Sequence, residues 1–105
     1  RFPGGSKNAY NRDTRQAIMD EMTQRGFVYF DWNVSAQDAQ NGITWEQVYQ
    51  NVMDSLGQKQ FGVVLLHDSY GRQTTVQALP RLIETLLARG YRFDRLSSQV
   101  PPVHF

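Results

Sequence analysis

Cysteine is absent from the 105 residues, which removes disulfide frameworks and thiolate metal sites from consideration. A chain without cysteine suits the cytoplasm and an oxidising exterior equally, so compartment stays open. An excess of one charge is missing too. Eleven Lys and Arg face ten Asp and Glu, for a net charge of +1, and no run of like charge occurs. A nucleic-acid binder needs a basic patch to displace counterions, and none is present. Apolar runs are short; Val63–Leu66 is as long as they become, against roughly 20 residues for a membrane-crossing helix. No segment has the basic, apolar and small-residue order of a secretory signal. A chain of this length buries roughly two-thirds of its unfolded surface, enough for one small domain or part of one.

What is present is a repeated unit: a helical segment, a glycine, then an apolar strand. The clearest helix starts at Thr44, with Gln47 three residues on as its capping-box partner. Trp45, Val48, Tyr49, Val52, Met53 and Leu56 then recur at helical period, and Gly57 supplies the stop. A second helix is predicted over Thr75–Arg89. Val76, Leu79, Leu82, Ile83, Leu86 and Leu87 form its stripe, and Gly90 ends it. Pro80 implies that this helix either starts there or has a bent first turn. A weaker helix covers Asp13–Arg25, with Asp13 and Gln16 to cap it and Gly26 to end it.

Each glycine precedes a strand candidate: Phe27–Asp31, Phe61–His67 and Tyr91–Leu96. The middle one is apolar without alternation from Val63 to Leu66, as in a parallel strand covered on both faces. The strand starts lie 34 and 30 residues apart, fitting successive βα units. The units share no sequence similarity, so the repeat is architectural. The expectation is an α/β fold with a parallel sheet and right-handed crossovers, open or part of a barrel.

In such sheets, sites collect at the C-terminal ends of strands. Asp31-Trp32 ends one strand and His67-Asp68 another, while Arg1-Phe2-Pro3-Gly4-Gly5-Ser6 precedes the first helix and is expected at a third. A carboxylate beside a histidine fixes its tautomer, which suits a general acid. Glycines let backbone N–H groups approach a ligand, as an oxyanion hole requires. Each feature also has an ordinary structural explanation. A lone strand-end histidine is more often structural, Asp-Trp can be a helix cap with a core indole, and Pro with Gly marks any loop. His67-Asp68-Ser69 is not a serine-hydrolase site. The chain has no Gly-x-Ser-x-Gly elbow, and neighbours along a strand point to opposite faces. His67 and His104 lie too far apart in sequence to read as a metal-ligand pair. The residues alone therefore reach an α/β domain with a polar cluster at its strand ends.

Three strand-end motifs, taken in order, resemble the second half of the polysaccharide deacetylases of carbohydrate esterase family four. They are Arg1-Phe2-Pro3-Gly4-Gly5, the run from Asp31-Trp32-Asn33 through Asp38, and Val63-Val64-Leu65-Leu66-His67-Asp68. The run from Leu79-Pro80 to Gly90-Tyr91-Arg92-Phe93 is similar to that family's last helix and strand, so the resemblance covers essentially the whole chain. It implies that residues 1–105 are the C-terminal portion of the catalytic domain, with parallel βα units forming half of a distorted (β/α) barrel. It also implies metal-dependent removal of N-acetyl groups from N-acetylglucosamine glycans, peptidoglycan foremost, in an extracellular or cell-envelope setting. Under the resemblance, His67 is the general acid that protonates the leaving amine, and Asp31 hydrogen-bonds His67. Arg1 orients a catalytic-base aspartate located elsewhere. The Gly4 N–H helps hold the oxyanion, while Trp32 and Leu65 line the pocket.

Two departures qualify that expectation. Many family members carry tyrosine where Gly4 stands, so a pocket wall is lost. The family's earlier motifs, an Asp-Asp pair and a His-x-x-x-His segment, are also missing. The complete enzyme is expected to hold zinc or another divalent ion, whereas this chain is expected to bind no catalytic metal and to be inactive alone. Arg1 already sits inside a motif, which points to sequence upstream. The competing expectation is a non-catalytic module that binds glycans through Trp32 and Tyr70 or serves as an oligomerising remnant. Half a barrel has open strand edges. We predict self-association, or docking with the missing half, for the isolated chain. Sedimentation should find a dimer or larger species, or melting should find a marginal monomer; a monodisperse, heat-resistant monomer would contradict this.

Overall fold

Thr44 nucleates the best-defined element, α2, Trp45–Leu56. Its Oγ1 accepts from the Gln47 N–H at 3.2 Å, and Gln47 Oε1 accepts from the Thr44 N–H at 2.9 Å. Two N–H groups that the helix leaves without intrahelical partners are thus satisfied reciprocally. At the other end Gly57 adopts φ 53° and donates its N–H to Met53 O, a conformation costly for residues with a Cβ. The structure, a computed structural model, describes all 105 residues. The other helices are α1, Arg15–Gln24, and α3, Gln73–Ala88, and a short 3-10 turn covers Ala9–Asn11. Two short strands, β1 (Val34–Ser35) and β2 (Val64–Leu65), pair in parallel with Val34 opposite Val64 and Ser35 opposite Leu65. No helix is long and apolar enough to cross a membrane.

The chain divides into two units: Arg1–Trp32 with Arg95–Phe105, and Asn33–Asp94. In the second unit, β1 packs against α2, and α2 against α3. The core comprises Val34, Ala36, Val48, Val52, Met53, Leu56, Ala78, Leu82 and Leu86. Polar groups extend the two-stranded ladder. The Asn33 side chain donates to Phe61 O and accepts from the Val63 N–H, as a further peptide unit would. On the outer side of β1, Ser55 Oγ accepts from the Ser35 N–H and Asn51 donates to Ala36 O. Helix α2 thereby covers polar backbone that β2 does not pair.

In the first unit, α1 buries no residue. Its N-cap is Thr14, with no side-chain cap bond, in place of the expected Asp13 and Gln16. Gln16 instead reaches one turn forward to Asp20 at 2.8 Å. Phe2 is buried and meets Tyr29 edge-on at 5.2 Å, and Tyr29 stacks on His104 at 4.0 Å.

Three expectations need correction. Segments 27–31 and 91–96 form no strand, and only two residues of 61–67 do. A strand needs a neighbouring ladder, whereas the Asp31 N–H donates to Val103 O in the C-terminal segment. Pro80 does not start α3, which begins at Gln73 and runs through it; the carbonyl it leaves without an amide partner belongs to exposed Val76. The stripe on α3 is also divided. Thr75, Ala78, Leu82 and Leu86 are buried, while Val76, Ile83 and Leu87 form a second, exposed line.

Thr44→Ala removes the α2 cap and should cost about 1 kcal/mol of stability. Urea unfolding should show a lower midpoint at an unchanged slope; an unchanged midpoint would mean the cap contributes nothing.

Candidate active site

Asp31, Arg1, Gly4 and Trp32 all belong to the first unit. Gly4 and Gly5 both adopt positive φ, at 76° and 91°, and turn the chain so that the Gly5 N–H donates to Phe2 O. A Cβ at Gly5 would lie 2.4 Å from the Phe105 ring and 3.3 Å from the Trp32 indole, so close approach also requires glycine there. Just beyond, Ser6 donates its N–H to Asp31 Oδ1 at 2.7 Å and its hydroxyl to Oδ2 at 2.5 Å. The Phe105 N–H donates to the same Oδ2 at 2.8 Å. Burial alone would raise the Asp31 pKa. The hydrogen bonds from Ser6 and Phe105, helped by His104, outweigh it and hold the carboxyl below its ordinary value. Asp31 thus ties the glycine turn to the end of the chain. Arg1 and Gly4 are exposed, and half-buried Trp32 meets Phe105 edge-on at 4.8 Å.

His67 and Leu65 belong to the second unit. His67 lies just after β2, and its Nδ1 is 2.7 Å from Oδ1 of Asp38, which lies just after β1. The expected Asp31–His67 hydrogen bond is therefore corrected: the carboxylate on His67 is Asp38. Parallel pairing explains the difference. Residues beyond the C-terminal end of one parallel strand lie level with those beyond the C-terminal end of its neighbour. Asp31 precedes β1, whereas Asp38 and His67 both come after their strands. Asp38 is the other carboxylate of the same Asp31–Asp38 run, so the signal was present in that motif.

Asp38 is fully buried. Its Oδ2 accepts from the His67 N–H at 2.8 Å and from Thr75 Oγ1 at 2.6 Å. Burial pushes its pKa up, but the bonds from Thr75 and His67 win and leave it lowered. Beside it, Gln37 is the one non-glycine residue with positive φ, at 51°, a local strain of the kind that gathers at functional positions. An anionic carboxylate can only accept, so Nδ1 carries a proton and Nε2 is the free ring position. The His67 side chain is 35% exposed, and its ring is anchored through Nδ1 on Asp38. Leu65 is half-buried. An open depression lined by Gly57, Lys59, Arg89 and Tyr91 lies where α2 and α3 end and contains none of these residues.

Comparison with known proteins agrees with the motif resemblance. No family model matches the chain. YheN of Bacillus subtilis (strain 168), a protein provisionally assigned as a polysaccharide deacetylase, is 34% identical over 108 residues, covering 99% of this chain and 36% of YheN. The solved catalytic domain of peptidoglycan N-acetylglucosamine deacetylase from Eubacterium rectale ATCC 33656 superposes with a TM-score of 0.89 at 36% identity, covering 100% of this chain and 49% of that one. The chain is similar to part of each of these two proteins. It spans about a third of the curated relative and about half of the solved catalytic domain.

The residues present do not fit a metal site. A zinc site takes three protein ligands or more, and no three His, Cys, Asp or Glu side chains are grouped. Of the two histidines, His67 is engaged by Asp38, while His104 donates from Nε2 to Tyr29 O.

Asp31→Asn sets an amide NH2 or a weaker acceptor against three donors and should cost about 2–4 kcal/mol at neutral pH. Because the folded carboxyl titrates below its ordinary 3.8, its contribution is fully present above that value and fades as pH falls through the lowered one. The stability gap between wild type and variant should narrow below about pH 4; a gap independent of pH would exclude a charged clamp.

Proposed function

We propose that residues 1–105 are the C-terminal portion of the catalytic domain of a polysaccharide deacetylase of carbohydrate esterase family four. In this reading the enzyme acts on N-acetylglucosamine glycans, peptidoglycan foremost, at the cell envelope. The observation that carries it is the Asp38–His67 pair, with Nδ1 held by the carboxylate and the side chain partly exposed. An amide leaves poorly unless its nitrogen is protonated. After water has added to the acetyl carbonyl, the Nε2 proton of His67 passes to that nitrogen. The C–N bond breaks, and acetate and a free amine depart. His67 is left neutral, its Nδ1 proton still directed at Asp38, and takes a proton from solvent before the next turnover.

In this reading the rest of the domain would provide the ligands of a divalent metal and the base aspartate that Arg1 orients, and the metal would supply activation of water. Leu65, two residues before His67, would border the acetyl group; the roles of the Gly4 N–H at the oxyanion and of Trp32 as a pocket wall rest on the motif resemblance alone. The exposed line Val76, Ile83 and Leu87 on α3 supports docking of that half or self-association.

A hybrid domain tests the proposal. This chain should replace the matching part of the Eubacterium rectale catalytic domain, with acetate release from a chitooligosaccharide as the readout. Activity should appear, and His67→Gln should lower kcat by roughly a hundredfold or more, the usual range for a general acid. A folded, metal-loaded hybrid that releases acetate equally well with His67→Gln would refute the assignment.

A further inference from the structure

His67 has one functional nitrogen to offer, and which one depends on Asp38 presenting a single oxygen to the ring. Asp38 is in turn held by Thr75, the third residue of α3, which is 4% exposed. Its hydroxyl donates to Oδ2 at 2.6 Å, and the His67 N–H reaches the same oxygen at 2.8 Å. Two donors therefore saturate Oδ2, and Oδ1 remains for Nδ1 at 2.7 Å. Ser or Thr near the start of a helix ordinarily turns its hydroxyl back on the helix's own backbone. Here α3 has no side-chain cap bond, its N-cap is Arg72, and the Thr75 hydroxyl is directed out of the helix at a buried carboxylate.

We infer that Thr75 is a positioning residue for the acid: it clamps Asp38 Oδ2, so that Oδ1 alone meets the imidazole and Nε2 alone faces the substrate. The inference rests on the reading of His67 as the acid, but its structural half stands independently of it. Without the hydroxyl, only the His67 N–H still holds Oδ2, and the carboxylate turns more readily about its Cβ–Cγ bond. The ring then loses its fixed acceptor and samples both tautomers, one of which holds Nε2–H with Nδ1 bare. Thr75 contacts neither substrate nor reacting atoms, so its loss should act on kcat more than on KM.

Two variants separate this role from packing. Thr75→Val keeps the shape and removes the hydroxyl, whereas Thr75→Ser keeps the hydroxyl and removes a methyl. In the isolated chain, long-range proton–nitrogen NMR reads the tautomer of the His67 ring. Wild type and Thr75→Ser should show one Nδ1–H form, and Thr75→Val a mixture. In the hybrid enzyme, Thr75→Val should lower kcat by roughly ten- to a hundredfold with KM little changed, the usual effect of a small misplacement, and Thr75→Ser should restore it. A single Nδ1–H tautomer in Thr75→Val overturns the inference; so does a Thr75→Ser ring that behaves as Thr75→Val does. If Thr75→Val fails to fold, the Thr75→Ser spectrum still decides, because a mixed tautomer there means the hydroxyl does not set the ring. The expected spectra combined with a hybrid insensitive to His67→Gln would leave the positioning intact and refute the deacetylase reading instead.

Discussion

A fully buried carboxylate is tolerable only if its oxygens are filled with donors, and Asp38 draws those donors from two other elements. The His67 amide and ring come from the end of β2, and the Thr75 hydroxyl from the first turn of α3. The end of β1, the end of β2 and the start of α3 are thereby fixed to one point. The parallel register brings the strand ends level, and the carboxylate itself is fully buried. A histidine placed there needs nothing further to acquire a defined tautomer and a free Nε2. The chemistry of the site is in this sense a consequence of where one anion can be satisfied.

Asp31 shows how position changes the fate of the same side chain. It too is buried and hydrogen-bonded by three donors, but those come from Ser6 and Phe105. It holds the Gly4-Gly5 turn and the C-terminal segment together, with no imidazole at its oxygens. Two aspartates seven residues apart thus divide the work, one a clamp within the first unit and the other the partner of His67.

The helices were largely legible in the sequence, because helix signals are local. The Thr44–Gln47 box, the apolar recurrence through Leu56 and the Gly57 stop all lie within one stretch, and α2 forms there. The strands were less so. Phe27–Asp31 has strand composition, but a strand exists only where another backbone pairs with it, and that segment meets the C-terminal residues instead. His67 was visible from its place after an apolar run, and its partner lay in the quoted Asp31–Asp38 run, but which of the two carboxylates it would be was not. Choosing between Asp31 and Asp38 requires the register of β1 on β2, which a two-residue strand between Asn33 and Ala36 does not announce. Thr75 was hidden for a similar reason: a threonine near the start of a helix reads as a cap, and only the fold shows its hydroxyl turned to a carboxylate.

The most direct measurement is the nitrogen spectrum of the His67 ring in Asp38→Asn beside that in Asp31→Asn. If Asp38 holds the imidazole, Asp38→Asn shifts the ring from a single Nδ1–H form and changes its nitrogen resonances, while Asp31→Asn lowers stability and leaves the ring as in wild type. A ring that responds to Asp31→Asn and ignores Asp38→Asn would contradict the account at its centre.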